Sequence, residues 1–300
     1  MTWAVLAGAA PRINPVVLIL AYLLVLVGYG TKVGLAPMHT WLPDAHSESP
    51  APVSAMLSGA LLNTAMIGIV RFLGVARGAH LGYLLRIALV VFGALSLLVG
   101  ALFIVRQEGI KRLMAYSSIE HMGVVALGFG FGGPLGVAGA LYHMLNHSLN
   151  KSLMFFGAGN MMRAYDTKAI AMIRGVDRIF PVQGALWLAG AVAITGAPPF
   201  GLFLSEFTIM RAGLKPNFSW AVYVMAVLLI VIFIGFMNHF RTMYYPTGGE
   251  RESPKGGSSA WCVLPMWLTL APLLVLGLWW PGPVWNYLTS IAQSLSPGLP

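Results

Sequence analysis

Eight stretches of the chain are apolar almost without interruption: 14–36, 51–75, 81–105, 111–130, 134–161, 182–212, 218–240 and 260–280. Each can cross about 30 Å of hydrocarbon as a helix rising about 1.5 Å per residue. Backbone groups inside a bilayer find no water, so helices that satisfy their own hydrogen bonds are the expected solution. The pattern predicts an all-α, polytopic membrane helix bundle, read as a single transmembrane domain over residues 1–300. An apolar stretch within the first ten residues is too short to span and lacks a basic flank, so a secretory signal peptide is not expected. The longest polar segment, 246–259, carries Gly-Gly, Arg, Glu, Pro and Lys and reads as a flexible extramembrane loop.

Ionisable residues interrupt these apolar runs at Lys32, Glu120, His143, His147, Lys151 and Glu206. A charge facing lipid alone is costly, so several in one chain point to a buried polar track, with protons as its natural cargo. Two spans also look broken. The first contains Gly28, Gly30 and Gly34 and then Pro37, beside Lys32; the sixth contains Gly196, Pro198, Pro199 and Gly201, shortly before Glu206. Irregular backbone at membrane depth survives where protein or a wet cavity surrounds it, and paired interruptions are a mark of inverted-repeat transporters. Kinks relieved by helix packing would leave a similar pattern.

The fifth span places His143, His147 and Lys151 four residues apart, along one drifting face about 12 Å long, with Ser148 and Asn150 positioned to hold water. Such a row can relay a proton laterally. Neutral histidines bonding neighbouring helices are the alternative. Glu206 needs a cationic partner if ionised, and Lys151 on the preceding span is the expected one. Glu120 and His121 form a further mid-span pair, readable also as a polar clamp between helices. In the loop after the first span, His39, Asp44 and His46 could gather protons, while Asp44 could instead cap a helix or pair with Arg71. Trp41, Leu42 and Pro43 read as an interfacial anchor for that loop.

Composition supports the membrane reading: 58% of residues are hydrophobic and 9% charged, against roughly 25% charged in soluble domains. The net charge of +9 is spread over short connections rather than a stripe, so nucleic acid is not an expected partner. Ten Lys and Arg fall on the side of the loop between the first and second spans, Arg251 and Lys255 among them, and six on the other. That bias places both termini outside the cytoplasm. The single cysteine, Cys262, leaves no ligand set for an iron-sulfur cluster and no zinc motif. Two histidines one turn apart on a helix cannot bracket a haem, and a metal clipped by them lacks a carboxylate on that helix. No cofactor and no metal are expected.

The run from Gly30 to His46, with Lys32, Pro37, Trp41, Pro43 and Asp44, resembles the most distinctive segment of the antiporter-like proton-translocating subunits of complex I, Mrp antiporters and membrane-bound hydrogenases. The segment from Ala115 to Gly123 and the His143, His147, Lys151 row are most similar to hydrogenase-4 component F and its formate hydrogenlyase relatives. The resemblance implies a fourteen-helix inverted-repeat fold in which the eight spans correspond to helices seven to fourteen. It implies roles in proton transfer for Lys32 on the first broken helix, for His143, His147 and Lys151, and for Glu206 on the second. Asn63 stands where several relatives carry a lysine, and it could orient water instead. The family's first six helices have no counterpart, so either the sequence is a fragment or another subunit supplies them.

The expected function is a proton-translocating membrane subunit of a hydrogenase-4, formate hydrogenlyase or complex I-like pump. It would sit in the cell membrane among other membrane subunits and be coupled through them to a peripheral redox arm. The alternatives are an Mrp-type cation/proton antiporter subunit, with Thr195, Ser205 and Glu206 as oxygen donors for sodium, and a non-conducting scaffold.

Overall fold

A computed structural model describes residues 3–215, 217–245 and 260–295. The loop expected over 246–259, with the Arg251 and Lys255 used in the charge count, lies outside the described residues. Among those described, the chain is helical, with one isolated bridge between Gly109 and Ala169 in place of any strand.

A short α1 (Trp3–Ala9) leads into α2 (Pro15–Val33). Asn14 starts α2 by accepting a hydrogen bond from the Val16 N–H at 2.9 Å, and Pro15 occupies the first helical position. The helix ends where Gly34 takes a left-handed φ of 80°. The chain then turns into α3 (Trp41–Glu48), so the first interruption falls after Lys32. The indole N–H of Trp41 donates to the Thr31 carbonyl at 2.6 Å, and Leu42 packs against Gly34. α4 (Ala51–Met56) passes through one π-helical turn, Leu57–Leu61, into α5 (Leu62–Gly78), forming one 28-residue span. Next come α6 (Gly82–Ile104), α7 (Ile110–Phe131) and the 33-residue α8 (Gly133–Tyr165). A short α9 (Val176–Ile179) precedes α10 (Pro181–Ile194), which is separated from α11 (Gly201–Gly213) by the second interruption. The chain continues through α12 (Ser219–Tyr244), α13 (Ala260–Leu278) and α14 (Gly282–Leu295).

Five of the eight expected spans are long and apolar enough to cross a bilayer by composition alone: α2, α4–α5, α6, α12 and α13. The other three, α7, α8 and the α10–α11 pair, carry the buried cluster of Glu120, His121, His143, His147, Lys151 and Glu206, and α7 and α8 are wrapped by protein. α7 is buried along nearly its whole length. Small residues make this possible: a Cβ on Gly93 would lie 2.9 Å from the Gly123 carbonyl, and one on Gly123 would lie 2.7 Å from that of Gly93. Without side chains there, α6 and α7 approach backbone to backbone, as small residues permit between membrane helices. α8 and α11 cover the opposite face of α7, with Gly128 against Ala140 and Ile209. Exposed apolar positions line the outside of the bundle, such as Val16, Leu20 and Leu24 on α2 and Val227, Ile230 and Ile234 on α12. α14 was not expected. It is too short to span and lies against α8, with Trp280 and Trp285 around Tyr142 at ring-centroid distances of 5.3 and 6.3 Å.

Candidate functional site

The second interruption builds the site. α10 stops at Ile194, and Gly196 takes a φ of 68°, a conformation that β-carbon-bearing residues rarely adopt. A Cβ at Gly196 would collide with Oε2 of Glu206, so the glycine provides both the turn and the space for that carboxylate. Glu206 lies early in α11, buried among helices, and its Oε1 finds no hydrogen-bond partner among the described residues.

From Ser205, beside Glu206, a hydrogen-bonded string runs inward. The Ser205 hydroxyl donates to the Leu202 carbonyl at 2.8 Å and lies 2.9 Å from His143 Nδ1. His143 Nε2 lies 3.0 Å from His121 Nδ1. His121 Nε2 faces Glu120 Oε2 at 3.4 Å, and the His121 ring stands 5.3 Å from that of His147, centroid to centroid. Lys151 donates to the Met114 carbonyl at 2.9 Å and interacts electrostatically with Glu120. Glu120 in turn interacts with both Glu206 and Lys151. His121, His143, His147 and Lys151 are wholly buried, and both oxygens of Glu120, Nε2 of His121 and both ring nitrogens of His147 have no hydrogen-bond partner among the described residues.

Three expectations change. Among the described residues Lys151 and Glu206 form no ion pair, and the carboxylate that Lys151 interacts with is Glu120 on α7. His121 is not peripheral to the row on α8 but joins it, bonding to His143 and packing beside His147. The carboxylate that α8 lacks comes from α11: single donor atoms of His121, His143 and Glu206 all lie within 4.8 Å of one another.

Lys32 is not part of this cluster. The buried stripe of α2 is Leu18, Tyr22, Leu26 and Gly30, and Lys32, two residues past Gly30, points to the opposite, exposed side. Asn63 is a helix clamp: its Nδ2 donates to the Gly59 carbonyl at 3.0 Å, the Met144 carbonyl at 3.2 Å and the Ser148 hydroxyl at 2.8 Å, while its Oδ1 stays unpartnered. Ser148 is taken up in that clamp, and Asn150 donates to the Gly190 carbonyl at 2.9 Å. Asp44 pairs with Arg112 at 2.6 Å rather than with Arg71, which lies over the Trp3 ring. His39 is half-buried, with its ring 6.5 Å from that of Tyr116. His46 is fully buried in the loop and stacks on Phe155 at 4.9 Å. Burial, followed by repulsion from Lys151 and Lys111, pushes its imidazole down to about 3. Of the loop residues it is the one in electrostatic contact with the buried row.

Residues 9–235 match the family model described as NADH:quinone oxidoreductase/Mrp antiporter, transmembrane. The chain is 42% identical over 212 residues to a hydrogenase-4 component F homolog of Methylacidiphilum infernorum, an alignment covering 71% of this chain and 44% of that protein. It superposes with a TM-score of 0.89 and 26% identity on a chain of an archaeal membrane-bound sulfane sulfur reductase, covering 98% of this chain and 59% of that one. With a chain of respiratory complex I from Thermus thermophilus the TM-score is 0.80 at 27% identity, covering 91% and 57%. This chain thus spans less than half the length of that curated relative. It is a multi-pass membrane protein, and it belongs to the NADH:quinone oxidoreductase/Mrp antiporter transmembrane family.

Proposed function

We propose that the chain is a proton-translocating membrane subunit of a hydrogenase-4, formate hydrogenlyase or complex I-like redox-driven assembly. The observation that carries this reading is the string from Glu206 and Ser205 through His143 and His121 to Glu120, with Lys151 beyond it. A proton moves along such a string by hopping between neighbouring donors and acceptors, and the unpartnered oxygens and nitrogens are the places where water completes it. Because Glu120 feels both Lys151 and Glu206, the groups titrate as one coupled set. A charge change imposed at one end by partner subunits shifts proton occupancy at the other. His46 is the proposed link between the loop and Lys151. Lys32, on an outward face beside an apolar surface, is proposed to act toward a neighbouring segment or subunit rather than within this cluster.

The sodium reading rests on the oxygens of Thr195, Ser205 and Glu206, and whether uptake depends on sodium separates it from the proton reading. The test is proton uptake by vesicles carrying the assembled complex, with and without sodium. Lys151→Met and Glu206→Gln should each suppress uptake without loss of assembly, and sodium should make no difference. Normal uptake in both variants would remove the relay from the mechanism, and sodium-dependent uptake would favour the antiporter.

A further inference from the structure

We infer that His121, His143 and Glu206 form a binding site for a divalent transition-metal ion of the zinc class, held where a proton now bridges the two rings. Two imidazole nitrogens and one carboxylate are a donor set that binds zinc or cobalt, leaving a fourth position for water. The same set is poor for sodium, magnesium or calcium, which require oxygen.

The geometry is close to ready. The facing ring nitrogens are 3.0 Å apart, and a tetrahedral ion with bonds of about 2.0 to 2.1 Å needs them about 3.3 Å apart. An opening of a few tenths of an ångström between the rings admits it, with the Glu206 carboxylate drawn in from within 4.8 Å. The outer nitrogen of His143 is already placed as a metal-bound histidine requires, with Nδ1 2.9 Å from the Ser205 hydroxyl. His121 Nε2 stands 3.4 Å from the Glu120 carboxylate without a hydrogen bond, and a small approach would let that ring carry its proton outward as well. Glu206 Oε1 is buried and unpartnered. Glu206 as ligand and Glu120 behind His121 together offset the two positive charges. The metal would occupy the central link of the string, so, on the proposed proton-transfer reading, its binding stops proton movement.

The test uses the full, untagged chain in lipid nanodiscs, titrated with Co2+ as probe and Zn2+ as competitor. The expected result is one Co2+ per chain, with the intense visible absorption of a four-coordinate ion that Zn2+ bleaches. Both His143→Gln and Glu206→Gln should abolish the band. Ser205→Ala, which alters only the support behind His143, should weaken binding about 10- to 100-fold. His80→Asn, at an exposed histidine, should change nothing. Absence of the band in the unaltered chain, or its persistence in H143Q and E206Q, overturns the site. Zn2+ added to vesicles reads the relay separately: if Co2+ binds as described while proton uptake ignores Zn2+, the metal site stands and proton transfer through these three residues falls.

Discussion

Replacing Gly196 with alanine separates the position of Glu206 from the stability of the bundle. At Gly196 the backbone has a φ of 68°, and at Gly175, in the connection before α9, it has a φ of 64°. A residue with a β-carbon costs about 1–2 kcal/mol in that left-handed region at either place. Beyond that the two sites differ. At Gly175 the nearest atom a Cβ would meet is Ile179 Cδ1 at 3.9 Å, an ordinary contact, whereas at Gly196 it would meet the Glu206 carboxylate. That carboxylate must retreat by about 1 Å or more to reach van der Waals separation. A displacement of about 1 Å in a reacting group costs on the order of 100-fold in rate. Thermal unfolding of the purified variants should therefore show similar losses for Gly196→Ala and Gly175→Ala. Proton uptake by vesicles should fall on the order of 100-fold in the first and stay near normal in the second. Equal uptake in both, at equal stability, would refute the claim that the glycine turn positions Glu206.

Asn63→Ala should destabilise the bundle by about 1–3 kcal/mol, because the Met144 carbonyl and Ser148 lose a donor; uptake per folded molecule should be unchanged, as read by chemical unfolding beside a flux assay. The folded-state pKa of His46, about 3, lies below the ordinary 6.5. The unfolded chain therefore takes up a proton that the folded chain refuses. The stability contribution is complete above pH 6.5 and is lost as pH falls toward about 3. Melting temperatures across that window should fall more steeply for the natural chain than for His46→Phe, and parallel curves would count against the burial argument. Lys32→Met should leave thermal stability unchanged, since the side chain is exposed and has no partner among the described residues; a large drop in melting temperature would contradict that placement.

The spans were legible because hydrocarbon requires apolar residues over a fixed length, and that pattern survives in any sequence that crosses a membrane. The second interruption was legible for a related reason: Gly196, Pro198 and Pro199 cannot continue a helix, and they stand within a few residues of Glu206. What spacing along one helix could not give was the partner of each face. His143, His147 and Lys151 form a row on α8, but the bond that joins the row to its neighbours comes from His121, whose direction depends on how α7 rotates against α6 through Gly93 and Gly123. The same non-local packing gave Lys151 its carboxylate from α7 rather than α11. The outward direction of Lys32 did leave a signal, since the stripe Leu18, Tyr22, Leu26 and Gly30 passes it by. The π turn before Asn63 left none beyond a run of small residues, and α14 lacks the length that marks a span.

The central claim is that protons cross this subunit through the contact between His121 and His143. Proton uptake by vesicles carrying His121→Phe in the assembled complex measures it most directly, since Lys151, His147 and Glu206 all remain. The account predicts that uptake is abolished while assembly persists; uptake at the level of the unaltered chain would contradict it.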